Sequence, residues 1–168
     1  REGPAMSEFI AACDGGDLAK VERLLKAGAD PNAVDCGWPA ICGAINSGGN
    51  EAVGFALLAA GADPNATETQ TGCSALVLAA DKGFPDLARA LLEANADPNA
   101  QASDGATALF TAAQSGFTDV ARALVEDGRT EVDLANRGGL TPLWSAADGG
   151  HLSVVNMLLK ANANIDPT

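Results

Sequence analysis

The one histidine of the chain, His151, has Asp148 three residues before it, Ser145 six before and Ser153 two after. Residues of these types can supply a nucleophile, a general base and a group that orients the base. Their spacing implies neither a pocket nor a nucleophile–base–orienter geometry, so acyl-transfer chemistry has no support. Four cysteines are present, Cys13, Cys36, Cys42 and Cys73, with no Cys-x-x-Cys pair among them. With a single histidine beside them, a zinc site lacks its ligand set. They read as reduced thiols of an intracellular, cytoplasmic protein. The glycines are scattered, and none leads into Gly-Lys-Ser or Gly-Lys-Thr, the sequence of a phosphate-cradling loop. Glu126 and Asp127 are adjacent at the end of a predicted helix and read as solvated surface, not as an acid–base pair. The chain reads as a non-enzyme with no metal and no cofactor.

Composition narrows the partners. The 168 residues are 47% hydrophobic, rich in Ala and Leu, with no low-complexity tract or linker to mark a second domain. The net charge of −12 leaves no basic stripe to neutralise phosphates, which argues against nucleic acid and equally against an anionic membrane surface. It permits a basic protein partner and would speed encounter with one. No apolar run approaches the length that crosses a bilayer. Residues 1–6, with Gly3-Pro4-Ala5-Met6, read as an expression scar and are set aside, which leaves 7–168 as a single domain.

The elements that must carry any surface come from a repeat. Gly28-Ala29-Asp30-Pro31-Asn32 returns after 33 residues as Gly61-Ala62-Asp63-Pro64-Asn65, and after a further 34 as Asn95-Ala96-Asp97-Pro98-Asn99. Leucine pairs keep the same phase at Leu24-Leu25, Leu57-Leu58, Leu91-Leu92 and Leu158-Leu159, and turn glycines do so at Gly16, Gly49, Gly83, Gly116 and Gly150. Five units result, at about 7–33, 34–66, 67–100, 101–134 and 135–168. Within each, the pattern predicts helix, turn, helix and hairpin. Thr141 is suited to cap a helix that starts with Pro142, and Pro85 suits the same first-turn role in another. Val154, Val155, Leu158 and Leu159 fall on one helical face. A unit of this size cannot bury its apolar face alone, so the fold is a stack.

These residues resemble the ankyrin repeat, with its Thr-Pro-Leu-His-x-Ala-Ala first helix, Gly-His turn, leucine-rich second helix and Gly-Ala-Asp-x-Asn hairpin. The resemblance implies an all-α repeat solenoid of stacked helix-turn-helix units joined by β-hairpin-like loops. It also gives His151 a structural turn position. The motif histidine of the first helix is replaced by Ile10, Cys42, Val77, Phe110 and Trp144, and Trp144 is expected to be half-buried structure. Hairpin and turn lengths vary from unit to unit, as in a natural rather than a consensus-designed protein.

The two ends differ. Lys20 and Arg23 occupy second-helix positions held later by Val53, Leu87, Val120 and Val154, and by Ala56, Ala90, Ala123 and Met157. Charge there marks unit one as an N-terminal cap. Unit five has no such replacement, and its apolar edge is expected to be covered by a continuing native chain.

The resemblance implies a non-catalytic protein–protein interaction module that binds on the concave side, where hairpin tips meet the ends of first helices. The partner is expected to be a protein or peptide with a basic patch, and the module a monomer. Position by position, the tips supply Asp35, Cys36 and Trp38, then Glu68, Gln70 and Cys73, then Asp104, and finally Arg137 and Leu140. First-helix ends supply Asp14, Asn46, Ser47, Asp81, Lys82, Gln114 and Asp148. An alternative is a structural or regulatory segment that packs on a neighbouring domain of its own protein. Asn32, Asn65 and Asn99 are also similar in setting to hairpin asparagines modified by asparaginyl hydroxylases, beside a structural role within their own loops. Trp38 is foremost among the candidates, because tryptophan is a frequent interface anchor. Trp38→Ala is predicted to weaken partner binding with little change in Tm, and an unchanged affinity in a titration would reject the anchor role.

Overall fold

The computed structural model describes residues 4–48 and 51–165. Gly3, the expected turn glycine Gly49 and the hairpin residue Asp166 lie outside them. Among the described residues, ten helices form five consecutive pairs: α1 (Pro4–Asp14) with α2 (Leu18–Lys26), α3 (Ala40–Gly48) with α4 (Glu51–Ala59), α5 (Ala75–Lys82) with α6 (Pro85–Glu93), α7 (Ala108–Ser115) with α8 (Thr118–Glu126), and α9 (Pro142–Asp148) with α10 (Leu152–Lys160). The first helix thus starts at Pro4, ahead of Ser7, and Met6 packs against the core. Two short antiparallel strands, β1 (Val34–Asp35) and β2 (Trp38–Pro39), pair Val34 with Pro39 and Asp35 with Trp38. A single bridge, Thr67 to Ser74, marks the next hairpin.

Local chemistry sets the helix ends. The side chains of Asp17, Ser74, Thr107 and Thr141 accept from the backbone N–H three residues on, at 3.1, 3.2, 3.1 and 3.3 Å. Each satisfies a donor that the first helical turn leaves open. Pro85 and Pro142 occupy first-turn positions, as their sequence context predicts. The second helices end in a left-handed residue that is Gly28, Gly61 or Gly128 in three units and Asn95 or Asn162 in the other two. Asparagine is the residue that best replaces glycine there.

The first helices α1, α3, α5, α7 and α9 pack side by side, and the second helices lie behind them in a parallel layer. One continuous core runs between the layers, with Leu57, Leu91, Leu124 and Leu158 fully buried. Burying each such side chain stabilises by about 1.5–3 kcal/mol. Ile10, Cys42, Val77 and Phe110, at the motif-histidine position, are buried between units. Trp144 is the outlier of this set. It is 49% exposed, where Phe110 in the previous unit is 5%, because no further helix pair covers it among the described residues.

The hairpin asparagines serve the next unit instead of their own loop. The carboxylates of Asp30, Asp63 and Asp97 close the local turns by accepting from the backbone N–H of Asn32, Asn65 and Asn99, each at 2.9 Å. The asparagine amides then reach across. Asn32 donates to the Gly61 carbonyl and accepts from the Asp63 N–H, Asn65 does the same with Asn95 and Asp97, and Asn99 with Arg129 and Glu131. In unit four, Asp133 takes this position and accepts from the Asn164 N–H at 2.8 Å. The longer exit of that unit is held by Arg129, which pairs with Asp127 and donates to the Leu92 and Ala96 carbonyls of the unit before.

The hairpin tips are laddered too. The N–H groups of Thr69, Ser103 and Arg137 donate to the carbonyls of Gly37, Thr71 and Asp104 in the preceding tips, at 3.0, 2.7 and 2.9 Å. At Gly37 and Gly105 a Cβ would run into Thr69 and Arg137, so these close approaches need glycine. Glu68 is a correction to the expected acidic tip. It is 1% exposed and turned into its own loop, where it accepts from the N–H groups of Gln70, Thr71 and Cys73 and from the Thr71 hydroxyl. Burial on its own would raise its pKa. The hydrogen bonds outweigh burial and hold the carboxyl below the usual value of 4.5.

Two stability predictions follow from these contacts. Asn65→Ala removes two bonds between units and should lower the unfolding free energy in urea by about 1–2 kcal/mol. Asn65→Asp, which keeps the acceptor, should lose less. Glu68 has a lowered folded-state pKa, so its contribution is complete above about 4.5 and is lost as pH falls through the folded value. Glu68→Gln should therefore cost about 1–3 kcal/mol at pH 7, and urea unfolding at decreasing pH should show that gap close as the parent protein loses the same bonds.

Candidate functional site

Six of the expected contact residues, Asp14, Asp35, Cys36, Trp38, Asn46 and Ser47, come together at one place. Asp35, Cys36, Trp38 and Asn46 line a cleft of about 220 Å³ between units one and two, together with Ile10, Asp14, Gly43 and Ser47. The β1–β2 hairpin supplies Asp35, Cys36 and Trp38, the end of α1 supplies Asp14, and α3 supplies Gly43, Asn46 and Ser47. Cys36, at the hairpin turn, has a left-handed backbone. Asn46 is exposed, while Asp14, Asp35 and Trp38 are half-buried. The Asp14 carboxyl is pushed above its ordinary pKa, first by burial and then by the neighbouring negative charge of Asp35. Trp38 lines the cleft with part of its surface and packs on the core with the rest. Its truncation is therefore not silent in the folded protein, and the expectation of an almost unchanged Tm for Trp38→Ala is corrected to a measurable loss.

Gly43 is the residue that sequence reasoning passed over. Its equivalents in the other units, Ala11, Leu78, Thr111 and Ser145, all carry a Cβ. A Cβ at Gly43 would fall on the Asp14 carboxylate. A glycine inside one first helix, and in no other, was the signal that could have found it.

The remaining candidates are dispersed along the stack. Gln70 is an exposed tip residue and Cys73 is half-buried, with its sulfur 3.1 Å from the Thr71 hydroxyl. Asp81 and Lys82 form an ion pair of 3.3 Å at the end of α5, so their charges offset each other. Asp104 is exposed and its carboxylate accepts from the Ala106 N–H at 2.9 Å. Arg137 is exposed above Gly105. Leu140 is half-buried, with its N–H donating to the Asn136 side chain. Gln114 and Asp148 are exposed at the ends of α7 and α9.

His151 acts as a wedge between units. Its ring lies against Gly116 and Gly149, and Nε2 is 3.0 Å from the Gln114 carbonyl. A carbonyl only accepts, so Nε2 carries the proton. The ring nitrogen is thus engaged with the preceding unit and not with Ser145, Ser153 or Asp148. The buried thiols Cys13 and Cys42 are both pushed up to about 12, chiefly by burial, which leaves them inert as nucleophiles. Among the described residues, no group of three or more His, Cys, Asp or Glu side chains is placed to hold a metal ion, and no helix is long and apolar enough to cross a membrane.

Comparison with known proteins agrees with this architecture. A family model described as ankyrin repeats (3 copies) matches residues 9–102 and 96–168. Over 101 residues the chain is 36% identical to the ankyrin repeat and KH domain-containing protein mask-1 of Caenorhabditis elegans. That match covers 58% of this chain and 4% of the relative, so the chain spans only a small part of the relative's length. Five helix pairs in phase, clamped hairpin to hairpin, and a family match along nearly the whole stack lead to one conclusion: the chain belongs to the ankyrin repeat family, whose repeats serve generally as protein–protein interaction modules.

Proposed function

We propose that this domain is a non-catalytic binding module that holds a basic segment of a partner protein against its hairpin tips and first-helix ends. The observation that carries this is the cleft between units one and two, where Asp14 and Asp35 stand beside Trp38 with no ion pair to either carboxylate among the described residues. The net charge of −12 supports the same sign of partner. The hairpin asparagines and the tip backbone ladder are already engaged between units, so the residues left to bind are those that differ from unit to unit. A cytoplasmic setting is part of this proposal, because it would keep the buried thiols Cys13 and Cys42 reduced.

A second face supports a different role. Trp144, Leu159 and Ile165 are exposed on the outer side of unit five, at positions whose counterparts in inner units are buried or half-buried. A neighbouring domain of the same protein would bury them, as the regulatory-segment alternative requires.

Selection of a displayed random-peptide library on the immobilised domain tests the module. Enriched peptides should be basic, should shift amide resonances at the tips and at the ends of α1 and α3, and should bind more weakly in 1 M than in 0.1 M salt, where the screening length falls from about 10 to about 3 Å. Enrichment of acidic or uncharged peptides, or affinity indifferent to salt, would count against a basic partner. Shifts confined to Trp144 and α10 would favour the second face.

A further inference from the structure

We propose that the cleft between units one and two is a pocket for a single arginine side chain of the bound partner, an inference that rests on the module described above. Four observations converge on this. The two carboxylates, Asp14 and Asp35, are half-buried and close enough for Asp35 to disfavour the ionised form of Asp14, so the cleft holds negative charge that is partly desolvated and has no ion pair among the described residues. A cation relieves both penalties at once.

Gly43 gives the second observation. Glycine is poorly suited to a helix interior, and the other four first helices have a side chain here. In α3 its absence leaves the space in which the Asp14 carboxylate lies over the helix. The third is Trp38, which forms a wall of the same cleft. An indole face beside two carboxylates suits a planar guanidinium, which stacks on the ring while its fork of N–H groups meets the acids. An ammonium is a compact, strongly hydrated point charge and uses such a wall less well. The fourth is the contrast with unit three. There the acid at the end of α5, Asp81, is already paired with Lys82, and the tip acid Glu68 is folded into its own loop. Asn46 and Ser47, at the rim, offer polar contacts to the peptide backbone.

The test is an NMR titration of the ¹⁵N-labelled domain with N-acetyl-arginine methylamide, its lysine and citrulline analogues, and magnesium chloride at matched ionic strength. The arginine probe should give a saturable shift of the Trp38 indole and Gly43 amide signals. The lysine probe should bind at least about threefold more weakly, and citrulline, which keeps the shape without the charge, should give no saturable shift. Asp14→Asn with Asp35→Asn should abolish the response. Gly43→Ala should weaken it while leaving Tm unchanged or higher, because the Asp14 side chain moves aside and the helix gains alanine. No saturable shift with arginine, an equal response to citrulline, the same shifts from magnesium, or a full response in the double variant would each overturn the pocket. If the probe fails while library-selected basic peptides still bind the tips, the arginine pocket falls and the module stands; if no peptide is selected either, both fall.

Discussion

An amide side chain that grips the backbone of the following unit is the interaction on which this stack depends. A lone helix pair leaves its leucine-rich face in water, so the fold exists only if neighbours are held in one register. The asparagine clamp does this with a donor and an acceptor at once, which fixes both the distance and the rotation between units. Register is what lets Leu57, Leu91 and Leu124 be fully buried one after another. It also lets ring and glycine interlock, with Phe117 pressed on Gly83 and His151 on Gly116. Because the clamps and the tip ladder use backbone groups, they leave the side chains of the tips free to vary.

That division of labour explains which features were legible in the sequence. Helix starts at Ser74, Thr107 and Thr141 depend on partners three residues away, so local pattern suffices. The units and the two-layer order follow from the period. The destination of Asn32, Asn65 and Asn99 was not legible, because the partners lie 29 to 32 residues downstream and come from backbone groups that any residue would provide. Glu68 misled for a related reason. A carboxylate in a polar loop looks solvated, and only the fold of residues 68–73 shows its oxygens facing three N–H groups and a hydroxyl. Within the cleft, Asp14, Asp35, Cys36, Trp38, Asn46 and Ser47 were found by position in the unit, whereas Gly43 was hidden by its lack of a side chain.

The cleft also shows how a repeated scaffold acquires an individual surface. Unit three has the same helices and a similar hairpin, but its acids Asp81 and Glu68 are paired or folded inward. Individuality came from a combination of three residues in units one and two: a tryptophan after the hairpin and a glycine in α3, neither repeated at that position in another unit, and the aspartate at the end of α1 that the glycine faces. None disturbs the clamps, because all three lie away from the Gly-Ala-Asp-Pro-Asn block.

The replacement of asparagine by Asp133 has a dynamic consequence. A carboxylate accepts but does not donate, so the joint between units four and five keeps only the acceptor half of the clamp, from the Asn164 N–H. Fraying of the stack is therefore directional. The α9–α10 pair should open by sub-global unfolding at a lower free energy than the interior units, and its amides should exchange with solvent first. The amide-clamped joints on either side of α5–α6 make the middle of the molecule its slowest-exchanging core.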